Sequence, residues 1–214
     1  MTSRLAGTKD TGRENIVFFG DSISFGELVS PHRIWTTRLS AGIEAAYGDR
    51  FLVVNTSING NTTRMALERM PFDVQRYHLD VLVVQFGMND CNSWQTDNGA
   101  PRVSPEGYAA NLAEIVRRAR SFDAREVLLM TSHPTPHTDG PYEDNRRHYC
   151  AILREVARQH GCGLIDMEAM IGGKPERYLM ADGIHLNDLG HDLYVELAGP
   201  ILMDAIAALP RRAG

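Results

Sequence analysis

Short apolar runs recur along the chain and alternate with longer amphipathic stretches. Each run has the length of a strand and is rich in Val, Ile, Leu or Phe, and polar turn-forming residues follow it. Five strands are therefore predicted, near residues 15–19, 51–55, 79–86, 126–131 and 163–166.

The stretches between these runs carry apolar residues at helical spacing. Helices are predicted over about 33–47, 62–70, 104–121, 142–160 and 188–208. Ser104 and Pro105 supply a cap and a first-turn proline for the third helix. In the last helix, four-residue steps predict one core-facing stripe of Leu189, Leu193, Leu197, Ile201 and Ala205.

Strands that alternate with helices predict an α/β fold, in which helices cover both faces of a parallel sheet. The chain has 214 residues, of which 43% are hydrophobic, and no linker rich in Ser, Gly or Pro divides it. We therefore expect one domain over residues 1–214, with flexible ends at 1–13 and 210–214.

Charge and cysteine content narrow the classes of protein. A net charge of −5 argues against general nucleic-acid binding, which needs clustered Lys and Arg. The polar N-terminus lacks the apolar core of a secretory signal, and no stretch approaches the roughly 18 apolar residues of a membrane span. Cys91, Cys150 and Cys162 are few and odd in number, which fits reduced thiols. A cytoplasmic protein is predicted.

Reactive polar residues lie near both ends of the chain. The segment Gly20-Asp21-Ser22-Ile23 follows the first predicted strand, and ligands of open α/β folds bind where strands end. Asp182 and His185 are three positions apart, a spacing that lets the carboxylate accept a hydrogen bond from the imidazole. A serine, a histidine and an aspartate are the groups that activate a hydroxyl as a nucleophile.

Two further polar segments follow strand-like runs, namely Asn59-Gly60 and Gly87-Met88-Asn89-Asp90. With Gly20-Asp21-Ser22 and Asp182-x-x-His185 they form four signatures in a fixed order. This set resembles the SGNH hydrolases, also called the GDSL esterase/lipase family. The resemblance covers residues 15–205, nearly the whole chain, and the first signature has Ile where the family name has Leu.

The resemblance implies a role for each of these residues. Ser22 would be the nucleophile, His185 the general base and Asp182 the residue that orients the base. The backbone amides of Ser22 and Gly60 and the side-chain amide of Asn89 would form the oxyanion hole, and both types of group are suitable neutral donors. The resemblance also implies a three-layer, flavodoxin-like fold with about five parallel strands, and no cofactor.

Three residues are candidates for the substrate pocket. Trp94 lies in the polar loop from Cys91 to Val103, which follows the Asn89 signature. This tryptophan could stack on a sugar ring or pack under the loop. Asp21 and His133 also lie at predicted strand ends, where loops commonly line ligand pockets.

A metal site is not expected. His133 and His137 are four positions apart, a spacing that suits two ligands on one helix. However, Pro134 and Pro136 exclude a helix there.

The predicted function is hydrolysis of small acyl esters, above all acetyl esters of soluble alcohols such as sugars, through an acyl-serine. The sequence carries no long apolar lid that would serve a lipid interface. An acyl thioesterase or lysophospholipase is the alternative enzyme, and transfer to another alcohol stays open. A non-catalytic carbohydrate-binding relative is the alternative of another class, although such a protein would not need the complete set of reactive residues. The outer helices do not decide whether the protein forms a homo-oligomer.

Overall fold

A parallel sheet of five strands forms the centre of the molecule. The computed structural model describes residues 12–137 and 141–211, so most of the predicted flexible ends, 1–13 and 210–214, lies outside the described residues. The strands are β1 (Glu14–Gly20), β2 (Phe51–Asn55), β3 (Leu79–Gln85), β4 (Glu126–Met130) and β5 (Gly163–Ile165). They pair in the order β2-β1-β3-β4-β5, which is the flavodoxin-like order. The predicted α/β fold is confirmed, with strand ends within one residue of prediction.

Eight α-helices accompany the strands in the described part of the chain. They are α1 (Ser22–Phe25), α2 (Trp35–Tyr47), α3 (Thr63–Asp73), α4 (Met88–Cys91), α5 (Pro105–Ser121), α6 (Tyr142–His160), α7 (Met167–Met170) and α8 (Asp188–Ala207). The five predicted helices correspond to α2, α3, α5, α6 and α8. The one-turn helices α1, α4 and α7 were not predicted, because four residues are too few to show a helical period.

The core lies on both faces of the sheet. Along β1, Ile16 and Phe18 pack into the layer that contains α2 and α8, whereas Val17 and Phe19 pack into the layer with α3, α5 and α6. All four side chains are buried, and neighbouring positions of a strand point to opposite faces. A strand covered on both faces has no polar side, which explains its continuous apolar run.

The predicted core stripe of α8 is wrong by one position. Leu189 is 42% exposed, and Leu193, Leu197, Ile201 and Ala205 are only partly buried. The buried positions are Gly190, His191, Tyr194, Ala198, Gly199, Leu202 and Ile206. Small residues in this stripe let the helix approach its neighbours closely, and spacing alone does not distinguish two adjacent apolar stripes.

Two helical glycines provide a matched test of this close approach. A methyl group at Gly190 would overlap the Tyr178 carbonyl oxygen, whereas one at Gly42 in α2 would meet no atom within 4 Å. We expect Gly190→Ala to lower the free energy of unfolding by about 1–3 kcal/mol. Gly42→Ala should raise it by about 0.5–1 kcal/mol, since alanine favours the helix. Urea unfolding measures both, and equal stabilities would contradict the packing of α8.

Candidate active site

Strand β1 carries Ser22 to the carboxyl edge of the sheet. A side chain at Gly20 would lie 2.8 Å from the Gln85 carbonyl oxygen, so a glycine lets β1 and β3 stay close at this point. Asp21 then caps α1, because its Oδ1 accepts a hydrogen bond of 3.0 Å from the Ile23 N–H. Ser22 is the first residue of α1 and is 8% exposed. Its hydroxyl is thus held at the surface of the sheet edge.

Ser22, His185 and Asp182 lie in one chain of hydrogen bonds. The distance from His185 Nε2 to Ser22 Oγ is 2.9 Å, and the distance from His185 Nδ1 to Asp182 Oδ2 is 2.7 Å. The structure therefore brings these three residues together, although Ser22 and His185 are 163 positions apart in the sequence.

The charge of Asp182 determines which nitrogen of His185 carries the proton. Partial burial alone would raise the pKa of Asp182, but hydrogen bonds from the His185 ring and from the N–H groups of Ile184 and His185 hold this pKa below its usual range. The ionised carboxylate only accepts hydrogen bonds, so Nδ1 of His185 carries the proton. With Nδ1 donating to Asp182, Nε2 faces Ser22 Oγ at 2.9 Å.

A tight turn presents Asp182 and His185 side by side. The Met180 N–H donates to the His185 carbonyl at 2.7 Å, which closes the turn. Gly183 has a φ of +71°, and a Cβ there would lie 2.9 Å from His137 Nε2, so this position favours glycine on both counts. His137 Nε2 in turn lies 3.1 Å from the Asp182 carbonyl oxygen.

His133 supports this turn from below and is not a pocket residue, which corrects the sequence prediction. It is fully buried. Its Nε2 donates to the Ile184 carbonyl at 2.9 Å, and its Nδ1 accepts from the Tyr194 hydroxyl at 2.7 Å. Burial lowers the pKa of His133 to about 3, so the ring is neutral and suits both bonds. The sequence predicted that His133 follows a strand, but it did not predict that the side chain is buried.

Asp21 is likewise buried beneath the site, so its assignment to the substrate pocket is also corrected. It is fully buried, and burial raises its pKa to about 7, despite hydrogen bonds that lower it. Asn89 Nδ2 donates to Asp21 Oδ2 at 3.4 Å. Asp21 therefore accepts hydrogen bonds from Ile23 and Asn89 and has no exposed surface.

Asn89 and Gly60 reach the same edge from two other strands. Asn89 lies in α4, directly after β3. Gly60 lies in a turn after β2, where the Asn61 N–H donates to the Ile58 carbonyl at 3.3 Å. Gly60 has a φ of +71°, which suits glycine at the third position of such a turn.

Arg102 connects Asn89 with Gly60 and was missed by the sequence analysis. Its Nη1 donates to Asn89 Oδ1 and its Nη2 to the Gly60 carbonyl, each at 3.1 Å. The guanidinium carbon lies 4.6 Å from the centroid of the Trp94 ring. Arg102 lies in the predicted pocket loop, but no motif or spacing distinguishes it from other arginines. Only the fold reveals its contacts.

Trp94 lies in the loop between α4 and α5 and is 57% exposed. One face of its ring is near Arg102, and the rest is available to a substrate. Four other exposed apolar side chains lie close in sequence to Ser22 or Gly60. They are Phe25, Leu28, Ile58 and Met65.

A groove of about 330 Å³ lies beside the turn that carries His185. Leu28, Val29, Ser30, Arg33, Met180, Asn187 and Asp188 line it. Met180 and Asn187 flank the turn directly, and Arg33 and Asp188 form an ion pair of 2.7 Å there. The groove offers polar contacts beside the turn that contains Asp182 and His185.

Residues 12–137 and 141–211 contain neither a cluster of metal ligands nor a membrane-spanning helix. No cluster of three or more His, Cys, Asp or Glu side chains that could hold a metal ion occurs there. None of the helices in these ranges has both the length and the apolar character that crossing a bilayer requires.

The fold and site define a class of protein, and comparison with known proteins identifies the family. A Ser-His-Asp hydrogen-bond chain at the carboxyl edge of a parallel sheet is the arrangement of serine hydrolases. The profile of the GDSL-like Lipase/Acylhydrolase family matches residues 18–193. The chain belongs to this family, as the four sequence signatures predicted, and is by class a carboxylic ester hydrolase.

Individual relatives cover most of the chain. Esterase TesA of Pseudomonas aeruginosa is 28% identical over 83% of this chain and 82% of its own length. The human isoamyl acetate-hydrolyzing esterase 1 homolog is 24% identical over 91% of this chain and 84% of its own length. The crystal structure of a lipase/acylhydrolase from Enterococcus faecalis is 26% identical and superposes with a TM-score of 0.75, covering 94% of this chain and 100% of that one.

The buried carboxyl group of Asp21 leads to a prediction about stability. In the unfolded chain this group ionises near pH 3.8, whereas in the folded protein its pKa is about 7. The folded state therefore binds the extra proton, and its stability falls as pH rises from about 4 to about 7. Asp21→Asn should remove a loss on the order of 4 kcal/mol over this interval.

Urea unfolding at several pH values measures this effect. The difference between the native and Asp21→Asn curves isolates Asp21, because His133 and Asp90 titrate in both proteins. Asp123→Asn, which changes an exposed carboxylate, is the control and should parallel the native protein. Parallel curves for Asp21→Asn would contradict the buried protonated carboxyl.

Proposed function

We propose that the protein is a serine esterase that hydrolyses small acyl esters through an acyl-serine intermediate. Ser22 is the nucleophile, His185 is the general base, and Asp182 orients the base. The single observation that supports this proposal most strongly is the continuous hydrogen-bond chain from Asp182 Oδ2 through the His185 ring to Ser22 Oγ. Both distances lie within reach of direct proton transfer.

The first half of the reaction forms the acyl-enzyme. His185 Nε2 takes the proton of Ser22 as Oγ attacks the ester carbonyl, and the imidazolium is stabilised by Asp182. The N–H groups of Ser22 and Gly60 and Nδ2 of Asn89 donate to the oxyanion. When the tetrahedral intermediate collapses, the C–O bond to the alcohol breaks, and His185 returns the proton to the leaving oxygen.

The second half releases the acid. His185 Nε2 accepts a proton from a water molecule, whose oxygen attacks the acyl carbonyl. The same three donors hold the new oxyanion. The bond to Ser22 Oγ then breaks, and His185 gives the proton back to the serine. No redox step and no cofactor enter this sequence.

Acetyl esters of soluble alcohols, including sugars, are the substrates that we favour. Polar groups beside the turn of His185 suit a hydroxyl-rich alcohol, and the exposed face of Trp94 offers a surface for a sugar ring. The name of the human relative specifies an acetate ester. We also propose a cytoplasmic location. The three cysteines of the described residues form no disulfide, which fits a reducing compartment.

A longer acyl group is the second candidate. The exposed apolar side chains of Phe25, Leu28 and Ile58 could contact an acyl chain. Among the relatives is an Escherichia coli protein named thioesterase 1/protease 1/lysophospholipase L1, which is 25% identical. This second candidate uses the same acyl-serine and differs only in the pocket. A transferase would differ only in the acceptor that replaces water.

A series of esters with one leaving group separates these candidates. For 4-nitrophenyl acetate, butyrate and octanoate, we expect kcat/KM to favour acetate over octanoate by at least about tenfold. An acetylated xylo-oligosaccharide and an acyl-CoA thioester then test the alcohol side. Ser22→Ala is the control for background hydrolysis.

The opposite order, with octanoate or the thioester preferred, would favour the long-chain candidate and contradict the acetylesterase. A folded native protein that hydrolyses none of these compounds would favour the carbohydrate-binding alternative. Product analysis with added alcohol tests transfer, since a new ester in place of free acid would identify an acyltransferase.

A further inference from the structure

We propose that Arg102 is a positioning residue that sets the geometry of the oxyanion hole. The inference rests on the proposed function and concerns a residue with no place in the four sequence signatures. Arg102 contacts two of the three groups assigned to the oxyanion, Asn89 and Gly60, through separate nitrogens of one guanidinium. One rigid planar group therefore fixes the distance between them.

The first contact determines which way the Asn89 amide faces. Arginine has five N–H donors and no acceptor, so only the oxygen of the amide can face it favourably. Oδ1 thus lies on the side of Arg102, and Nδ2 lies on the opposite side, where it donates to Asp21 Oδ2 at 3.4 Å. Nδ2 carries a second hydrogen, which we assign to the oxyanion. A flipped amide would turn an oxygen toward the developing negative charge.

The second contact holds the turn that contains Gly60. Nη2 of Arg102 donates to the Gly60 carbonyl, and the same turn is closed by the hydrogen bond from the Asn61 N–H to the Ile58 carbonyl. Fixing the carbonyl of Gly60 restricts rotation of the adjacent peptide planes. The N–H of Gly60 thereby keeps the orientation that the oxyanion requires.

The loop that carries Arg102 is itself anchored next to Asn89. The Arg102 N–H donates to the Asn92 carbonyl at 2.8 Å, and the Val103 N–H donates to the Asp90 carbonyl at 3.1 Å. These bonds return the loop to α4, so the arginine starts from a fixed backbone. At the other end of its side chain, the Trp94 ring covers the guanidinium. Both ends of Arg102 are therefore held, and the geometry is preorganised.

The closing experiment compares Arg102→Met with the native protein on 4-nitrophenyl acetate. Methionine keeps an unbranched chain that can pack on Trp94, but it has no donor. Complete loss of one oxyanion donor typically lowers kcat about 100- to 1000-fold. Because Arg102→Met misplaces the donors but does not remove them, we expect kcat to fall by less, between about tenfold and about a hundredfold. KM for this small ester should change by less than about threefold, because a group felt only in the transition state leaves ground-state binding unchanged.

Two further variants separate positioning from a general effect on folding. Arg102→Lys keeps the charge but reaches only one of the two acceptors at a time, so its kcat should lie between those of the native and Arg102→Met proteins. Arg120→Met is the matched control. Arg120 lies near the end of α5 and donates to the Gly161 carbonyl at 3.1 Å, so the kcat of this variant should stay native.

A double-mutant cycle with Asn89→Ala gives the readout that a merely structural role would not produce. Because Asn89→Ala removes one of the two groups that Arg102 holds, adding Arg102→Met to Asn89→Ala should lower kcat by a clearly smaller factor than Arg102→Met does in the native protein. Independent, multiplied losses would overturn the inference, as would a change confined to KM or a native kcat in Arg102→Met.

The same measurements distinguish failure of this inference from failure of the proposed function. Ser22-dependent hydrolysis by the native protein together with a native kcat in Arg102→Met overturns only the role of Arg102. Absence of Ser22-dependent hydrolysis in the folded native protein overturns both. If Arg102→Met does not fold in a thermal unfolding scan, Arg102→Lys carries the test, and a native kcat in that variant overturns the inference.

Discussion

The hydrogen bond between Ser22 Oγ and His185 Nε2 joins the two ends of the chain, and much of the surrounding structure keeps these atoms 2.9 Å apart. On one side, β1 leads directly to the serine at the carboxyl edge of the sheet. On the other, no strand carries the histidine, which lies in the turn between Leu179 and Leu186, two residues joined by an isolated antiparallel bridge. Buried polar contacts supply the missing rigidity there, above all the bond from His133 to the Ile184 carbonyl. A buried histidine thus supports the turn that carries a partly exposed one.

Other residues of the site are also held in place by polar groups that have no proposed part in the reaction. Asp21 and Arg102 flank the proposed oxyanion donor Asn89, one on its amide nitrogen and one on its oxygen. The buried Asp21 carboxyl costs stability once it ionises, since burial raises its pKa to about 7. That cost is typical of preorganised sites, where the fold holds donors in place before charge develops. The apolar layers on both faces of the sheet offset it.

Local pattern predicted the sheet and the position of Ser22 at its carboxyl edge, because parallel strands end at one edge and carry their polar residues there. The pairing of Ser22 with His185 was implied by the resemblance to the family, because the histidine follows no strand. The burial of individual side chains was not predictable from local pattern. His133 and Asp21 lie at strand ends as expected, yet packing from distant segments buries both. The core stripe of α8 was misplaced for the same reason. Arg102 shows a further limit, because its role depends on where a long side chain ends, and neither spacing nor hydrophobicity encodes that position.

The most direct test of this account is the intact mass of the protein after exposure to a fluorophosphonate, which reacts with an activated serine whatever the acyl group of the substrate. The account predicts one adduct on the native protein and none on Ser22→Ala, because the Ser22 hydroxyl has the proposed base His185 as its hydrogen-bond partner. An adduct that persists in Ser22→Ala would place the reactive residue elsewhere. No adduct on the folded native protein would show that the Ser22, His185 and Asp182 arrangement does not act as a nucleophilic site.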